Sequence, residues 1–214
     1  MKVVAINGSP RKNWNTHILL NKVLEGAENA SAQTELINLY DLEYKGCIGC
    51  LACKVKNGKS LGRCAVNDGL KPVLDVIDTC DGLILGSPIY LGGVTAMIRA
   101  FLERLIFQYI SYDDHLKSYF NGSMRTAFIY TMNVSESMLT QFGYNEIFKS
   151  YETMLNRHFS YTGTLLSTET LQVKDYSKFH MAQFNEMDRK KRREETFPDD
   201  CQKAYDLGKS LCRT

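Results

Sequence analysis

Two polar loops and a cysteine cluster contain the side chains of this sequence that are best suited to chemistry. The first loop reads Asn7-Gly8-Ser9-Pro10-Arg11-Lys12-Asn13-Trp14-Asn15-Thr16. Ser9, Asn15 and Thr16 can donate hydroxyl or amide hydrogen bonds, and the Arg11 guanidinium suits a dianionic monophosphate. The loop has neither the G-x-G-x-x-G pattern of a dinucleotide site nor the G-x-x-x-x-G-K-[ST] pattern of an ATPase. It therefore predicts a site for a terminal monophosphate, with an ordinary strand-to-helix turn as the alternative.

The second loop reads Gly86-Ser87-Pro88-Ile89-Tyr90-Leu91-Gly92-Gly93 and contains groups that could frame a flat ligand. Pro88 stiffens the turn, and Gly92 with Gly93 lets the backbone approach a ligand closely. Backbone N–H groups could bind the polar edge of an aromatic ring system, and Tyr90 could lie against its face. A glycine-rich turn with a surface tyrosine is the alternative, but the two loops together are more specific than either alone.

The cysteine cluster has the spacing C-x2-C-x2-C at Cys47, Cys50 and Cys53, and Cys64 follows after ten further residues. Zinc knuckles usually consist of two separated C-x-x-C pairs, which this is not. Three such cysteines can wrap one face of a 4Fe-4S cluster, and a fourth ligand then comes from further along the chain. The four basic residues between Cys53 and Cys64 would offset a cluster's charge, but they would equally favour thiolates for redox chemistry. Packing or thiol chemistry therefore remains the alternative.

An alternation of short β-branched runs with longer amphipathic segments surrounds these motifs and is typical of a parallel α/β sheet. We expect strands at 2–7, 33–39, 82–86, 125–131 and 161–166, and helices at 16–29, 68–79, 94–107, 136–158 and 176–212, the last interrupted near Pro198. Right-handed connections predict a flavodoxin-like, doubly wound five-stranded sheet of order 2-1-3-4-5 with helices on both faces. Both polar loops then follow neighbouring strands at the carboxyl edge of the sheet.

Composition limits the remaining possibilities. The chain has 214 residues, 44% of them apolar, which predicts one domain over 1–214 with a C-terminal helical extension. The formal charge of +2 gives no field for nucleic acid or a membrane surface, and no apolar run approaches the ~20 residues of a membrane span. The basic run 189–193 is followed at once by acidic residues, which favours a solvated helix face. A cytoplasmic protein without structural disulfides is expected.

The two loops and the helix that follows the second one resemble a known family. Asn-Gly-Ser-Pro-Arg-Lys, Gly-Ser-Pro-Ile-Tyr and the helical run from Met97 to Arg104 are similar to the NADPH-dependent FMN reductase branch of the flavodoxin-like superfamily. This resemblance implies bound FMN, an NAD(P)H electron donor, and a homodimer or homotetramer with the flavin near a subunit interface. By position, Ser9, Arg11, Asn15 and Thr16 would bind the phosphate, Pro88, Ile89, Tyr90 and Gly92 would frame the ring, and Thr131, Met132 and Asn133 would approach its other side. Trp14 stands where the family usually has a small residue, and we expect it to serve packing rather than ligand stacking.

The cysteine cluster resembles that of the iron-sulfur flavoproteins within this branch, which implies Cys47, Cys50, Cys53 and Cys64 as ligands of a 4Fe-4S cluster. The fourth cysteine of those proteins usually follows more closely. The resemblance implies an oxidoreductase that passes electrons from NAD(P)H through FMN to a quinone, a flavin or another acceptor. No catalytic side chain is expected, because the flavin carries the chemistry and His17, His115, His158 and His180 have no evident partners. The alternatives are a flavodoxin-like electron carrier without enzyme activity and a cysteine-based redox or metal-binding module.

Overall fold

Six strands occur in the computed structural model, which describes residues 1–113 and 117–212. They are β1 (Lys2–Asn7), β2 (Gln33–Asn38), β3 (Gly82–Tyr90), β4 (Gly93–Val94), β5 (Arg125–Thr131) and β6 (Ser160–Ser167). The strands of the main sheet are parallel and lie in the order β2-β1-β3-β5-β6, while β4 pairs antiparallel with the end of β3. The predicted order 2-1-3-4-5 is therefore confirmed for the five parallel strands. The short β4 was not predicted.

The helices of the described residues are α1 (Asn15–Glu28), α2 (Lys71–Ile77), α3 (Ala96–Tyr109), α4 (Glu136–Gln141), α5 (Tyr144–Asn156), α6 (Glu186–Glu195) and α7 (Phe197–Leu211). The helix predicted at 136–158 is divided by Gly143, whose φ of 69° belongs to the left-handed region. The last predicted helix begins only at Glu186, where the Asn185 side chain accepts hydrogen bonds from two backbone amides. None of these helices is both apolar and long enough to cross a bilayer.

Alternate residues of β1 face two separate cores, because successive side chains of a strand point to opposite faces. Val3 and Ala5 pack in one core with residues of α1 and α7. Val4 and Ile6 pack in the other with residues of α2, α3 and α5. Each fully buried aliphatic side chain of this kind contributes about 1.5–3 kcal/mol. Helices therefore cover both faces of the sheet, as predicted, and leave its carboxyl edge to the loops.

Helices α1 and α7 cross at a distance that only a small side chain allows. A Cβ atom on Gly208 would lie 1.9 Å from the carbonyl oxygen of Val23, and a Cβ atom on Gly26 would lie 2.0 Å from that of Tyr205. This close crossing fixes α7 on α1. It also directs α6, which immediately precedes α7, toward the start of α1.

Candidate functional site

A cavity of about 130 Å³ lies at the carboxyl edge of the sheet, where β1, β3 and β5 end. Its lining includes ten of the eleven residues predicted to bind the cofactor: Ser9, Arg11, Asn15, Thr16, Pro88, Ile89, Tyr90, Thr131, Met132 and Asn133. Gly92 is not among the lining residues. Sequence reasoning did not assign four further residues to the site: Trp14, Thr170, Gln172 and Met181. The cavity therefore brings together both polar loops and the end of β5.

The loop after β1 is folded by its own side chains. The Ser9 amide donates to Asn7 Oδ1 at 3.0 Å, and the Arg11 amide donates to Ser9 Oγ at 3.1 Å. Asn7 Nδ2 in turn donates to Asn38 Oδ1 at 2.9 Å, which ties the loop to the end of β2. The two bonds within the loop define the turn, because each closes a short ring of backbone.

Gly8 connects this loop to the β3 side of the site. Its amide donates to the carbonyl oxygen of Gly86 at 2.8 Å, and its own carbonyl oxygen accepts from Thr95 Oγ1 at 2.8 Å. A Cβ atom at Gly8 would lie 2.0 Å from Cγ1 of Ile98, which is inside any permitted contact. The loop therefore packs directly on the start of α3, and the site needs glycine here because of this close approach.

The hairpin between β3 and β4 forms the opposite wall. Ile89 pairs with Val94 and Tyr90 with Gly93, so that Leu91 and Gly92 form a two-residue turn. Their φ angles of 50° and 82° are those of a type I′ turn. Leu91 is fully exposed and Tyr90 is 47% exposed. The turn thus presents apolar side chains to solvent beside the cavity, and Gly92 serves the turn rather than the cavity wall.

A hydrogen bond of 2.7 Å between the Oγ1 atoms of Thr16 and Thr131 joins the first turn of α1 to the end of β5. Both side chains are buried. One of the two hydroxyls must donate, so the other keeps its proton for a further acceptor. This buried pair therefore offers a donor in the cavity, where a monophosphate would need one.

The backbone of residues 171–172 covers the phosphate loop. Trp14 Nε1 and Asn15 Nδ2 both donate to the carbonyl oxygen of Leu171, at 3.1 and 2.9 Å. The Arg11 guanidinium donates through Nη1 to the carbonyl oxygen of Gln172. Trp14 thus binds this cover as well as packing beside the loop, and Asn15 retains only part of its amide for a ligand.

The basic run 189–193 on α6 is only partly the solvated face that the sequence predicted. Lys190 and Lys191 are exposed, whereas the three arginines are half-buried. The arginines bind the following partners: Arg189 binds Glu169 at 2.8 Å and the carbonyl oxygen of Asn133 at 3.3 Å, Arg192 binds Asp200 at 2.6 Å, and Arg193 donates to Asn15 Oδ1 at 2.9 Å. The predicted solvated face is wrong for the three arginines because α7 lies against α1 and brings one face of α6 onto the site.

Two side chains in the cavity contain buried polar atoms without a hydrogen-bond partner in the described part of the chain. The atoms are Nδ2 and Oδ1 of Asn133 and Oε1 of Gln172. An unpaired buried polar group costs about 1–3 kcal/mol, so a ligand that pairs with these atoms would bind more tightly. A flavin ring has donors and acceptors along one edge, which suits an amide that offers both. The lining therefore suits FMN, because one cavity combines a phosphate loop with unpaired amide groups.

The four cysteines predicted as metal ligands lie together in a second, mainly apolar cavity of about 20 Å³, beside α3. Cys47 and Cys50 are exposed, Cys64 is half-buried and Cys53 is buried. This volume is enough for one water molecule. Within 1–113 and 117–212, no group of three or more Cys, His, Asp or Glu side chains could hold a metal ion. The donor set fits an iron-sulfur cluster, but the segment with Cys47 and Cys50 would have to move outward to admit one.

Arg104 of α3 lines this cavity and contacts the segment that contains the cysteines. Arg104 is 2% exposed and donates to Cys64 Sγ at 3.2 Å and to Asp68 Oδ2 at 2.6 Å. Burial opposes ionisation of Asp68, but hydrogen bonds from Arg104 and the Leu70 amide outweigh it and lower the Asp68 pKa. Burial raises the pKa of Cys53 despite the adjacent Lys54. Cys53 is therefore a poor thiolate in the absence of a metal.

His17, His158 and His180, the histidines of the described residues, line neither cavity. His17 Nδ1 contacts Asn21 Nδ2 at 3.1 Å on α1, and His180 is exposed. His158 is buried, with Nδ1 2.9 Å from Ser118 Oγ and Nε2 without a partner among the described residues. Burial, with the nearby charges of Arg157 and Lys54, lowers its pKa to about 4. His115 lies outside the described residues.

Comparison with protein families gives a match over residues 1–141 to the family described as NADPH-dependent FMN reductase. An iron-sulfur flavoprotein of Methanocaldococcus jannaschii is 39% identical over 104 residues, which are 49% of this chain and 51% of that protein. An iron-sulfur flavoprotein of Clostridioides difficile is 37% identical over 107 residues, which are 49% and 45% of the two chains. The chain thus matches about half the length of these curated relatives.

Solved structures share the fold at low sequence identity. An NAD(P)H:quinone oxidoreductase from Methanothermobacter marburgensis has a TM-score of 0.69 at 12% identity, covering 100% of this chain and 97% of that one. A structure described as a putative quinone reductase from Klebsiella pneumoniae has a TM-score of 0.67 at 16% identity, covering 100% and 86%. An azoreductase from Bacillus anthracis has a TM-score of 0.63 at 14% identity, covering 97% and 98%. At such identities the likeness establishes the flavodoxin-like fold alone.

Proposed function

The chain belongs to the NADPH-dependent FMN reductase family, and from this we propose that it is an FMN-dependent oxidoreductase with NAD(P)H as its electron donor. One cycle would convert NAD(P)H and a proton to NAD(P)⁺ and reduce a two-electron acceptor, such as a quinone or a flavin. One observation carries the proposal: the cavity combines a preformed phosphate loop with the unpaired amide of Asn133. Bound FMN would supply the hydride chemistry, which no side chain of the site provides.

The residues of the site divide into two groups by what they can bind. We assign Ser9, Arg11, Asn15 and Thr16 to the phosphate, since their hydroxyl, amide and guanidinium groups surround the start of α1, where the helix dipole favours an anion. Pro88, Ile89 and Tyr90 are assigned to one side of the ring, with Gly92 as the turn residue that holds them. Thr131, Met132 and Asn133 are assigned to the other side, where the Asn133 amide can both donate and accept. In this assignment the side chains of the cavity wall orient the flavin ring and exclude water from it.

The test is to titrate the purified protein with FMN and then to add NADPH without oxygen. We expect bleaching of the flavin band on adding NADPH and its return on adding a quinone. Arg11→Gln should weaken FMN binding about tenfold, because it removes a charge-assisted hydrogen bond. Arg99→Gln serves as the control, since Arg99 is an exposed arginine of α3 outside the cavity. Failure to bind FMN would refute the proposal, whereas FMN binding without NAD(P)H oxidation would favour an electron carrier.

We also propose that Cys47, Cys50, Cys53 and Cys64 bind a 4Fe-4S cluster. Support comes from the fact that all four cysteines line one cavity and from the iron-sulfur names of the curated relatives. Protein purified without oxygen should show a broad brown absorbance that dithionite bleaches, and Cys64→Ser should lose it. Cys80→Ser is the control, because Cys80 is buried away from this cavity beside Met124. Clean yellow flavin bands would refute the cluster, and zinc in colourless protein would favour a metal-binding module.

We propose a homodimer or homotetramer, supported by the exposed apolar turn residues Tyr90 and Leu91 at the rim of the cavity. Light scattering should give the mass of two or four chains, and a monomer would refute the proposal.

We propose the cytoplasm as the location of the protein, because every cysteine of the described residues is a free thiol, as is usual in a reducing compartment.

A further inference from the structure

An open groove of about 520 Å³ continues from the cofactor cavity over the outer side of the phosphate loop. It shares Arg11, Trp14 and Gln172 with the cavity, so one extended molecule can contact both. Its other lining residues are Lys12, Val173, Lys174, Asp175, Lys178 and Phe179. The groove is therefore a second surface, which adjoins the cofactor cavity at these three shared residues.

The lining of the groove is strongly basic. It contains Arg11, Lys12, Lys174 and Lys178 against the single carboxylate of Asp175. Lys178 lies 3.4 Å from Asp175, and Lys12 lies 2.7 Å from Asp41, but both are surface pairs that salt screens. Even with Asp41 included, an excess of two positive charges remains, from four cations and two carboxylates. This excess matches a phosphate monoester, which carries about −1.5 to −2 charges at pH 7.

Two aromatic side chains accompany the positive charge. Trp14 is held by its indole N–H, which donates to the carbonyl oxygen of Leu171. Phe179 is 51% exposed, although a ring of this size is usually buried. Aromatic faces beside cations are suited to a nucleoside phosphate, because a purine can stack while its phosphate binds the charges. The groove thus has the parts for both halves of such a ligand.

We propose that this groove binds the adenosine 2′-phosphate end of NADPH, with Lys174 and Lys178 as the residues that distinguish NADPH from NADH. The inference rests on the proposed function, because it takes NAD(P)H as the donor and the shared residues as the connection to the flavin. Arg11 contributes at the boundary: Nη1 binds the carbonyl oxygen of Gln172, and its remaining N–H groups stay available to phosphate.

Calorimetric titration of adenosine 2′,5′-bisphosphate into the FMN-loaded protein tests the groove without any hydride transfer. We expect binding about tenfold tighter than that of 5′-AMP at low salt, because only the bisphosphate carries the 2′ group. Lys174→Gln and Lys178→Gln should each weaken bisphosphate binding roughly threefold to fivefold and leave 5′-AMP binding nearly unchanged. Lys149→Gln, an exposed lysine on α5 outside the groove, is the matched control and should bind as the parent does.

The outcomes separate this inference from the proposed function. Equal binding of the two nucleotides, or bisphosphate binding that survives both lysine substitutions together, would overturn the groove assignment even if NAD(P)H still reduces the flavin. Selective bisphosphate binding that depends on the two lysines would support the groove even if no hydride transfer is found. In active protein, the double variant should also lower kcat/KM for NADPH but not for NADH.

Discussion

Arg104 donates a hydrogen bond from Nε to the Sγ atom of Cys64 at 3.2 Å, across 40 positions of sequence. The same guanidinium binds Asp68 and the carbonyl oxygens of Lys45 and Val66. One buried side chain of α3 therefore holds both ends of the segment that contains the cysteines. Cys64 is held by this arrangement, whereas Cys47 and Cys50 are exposed.

Replacement of Arg104 should destabilise the protein. Arg104→Met removes four hydrogen bonds and leaves Asp68, which is 20% exposed, without its ion-pair partner. We expect the free energy of unfolding to fall by about 2–4 kcal/mol in urea denaturation at pH 7. Arg99→Met, on the exposed side of the same helix, should change it by less than about 0.5 kcal/mol. Equal stability of the two variants would show that the buried guanidinium does not hold the cysteine segment.

Arg193 should act on FMN binding through Asn15. Its Nη1 atom donates to Asn15 Oδ1, and its guanidinium lies 3.9 Å from the Phe197 ring centroid. Arg193→Gln frees the Asn15 amide from this orientation, so we expect FMN affinity to fall about fivefold in a fluorescence titration. Lys191→Gln changes the 70%-exposed side chain two residues earlier and should leave the affinity unaltered. A loss of affinity in both variants would point to general charge instead of positioning.

Gly8→Ala should disturb the phosphate loop by steric conflict. The added methyl group would lie 2.0 Å from Ile98 Cγ1, so the loop or the start of α3 must shift. Overpacking of this kind costs about 1–3 kcal/mol, which thermal denaturation of the apoprotein would measure. Gly93→Ala is the matched control, because no heavy atom lies within 4 Å of the new methyl and the φ angle there is not positive. A Gly8→Ala protein as stable as Gly93→Ala would contradict the contact.

His158 should make stability depend on pH between about 6.5 and 4. Its folded pKa is about 4 against an ordinary 6.5, so the unfolded chain takes up the proton first as pH falls. Above pH 6.5 this group does not change the free energy of unfolding. Between pH 6.5 and about 4 the free energy of unfolding falls, and below about pH 4 this group changes it no further. We expect a loss of ~2–3 kcal/mol in urea denaturation, largely absent in His158→Gln. The same pH profile in both proteins would exclude His158 as its source.

The sequence was sufficient for features that depend on neighbouring residues. The strand at 2–7 and the strand at 125–131 have the predicted bounds, because a short run rich in apolar and β-branched residues is a local signal. The turn after β1 could also be predicted, since Asn7, Ser9 and Arg11 bond to one another within five positions. For these strands and this turn, the family resemblance and the physical argument led to the same prediction.

What the sequence could not predict depends on distant contacts. Trp14 and Asn15 bind Leu171, and Asn15 binds Arg193, at separations of 157, 156 and 178 residues. No local pattern encodes such pairs, and the charge run of α6 looked solvated because burial of its arginines requires α7 to lie on α1. The strand predicted to end at Gly86 extends to Tyr90 for a related reason: β4 returns to pair with it.

The cover of residues 171–172 over the phosphate loop also sets an order of events in biosynthesis. Asn15 leaves the ribosome early, whereas Leu171 and Arg193 emerge more than 150 residues later. The nascent chain therefore carries an open phosphate loop for most of its translation. A phosphate bound by this loop would therefore be covered only in the final stage of synthesis, when about the last fifth of the polypeptide becomes available.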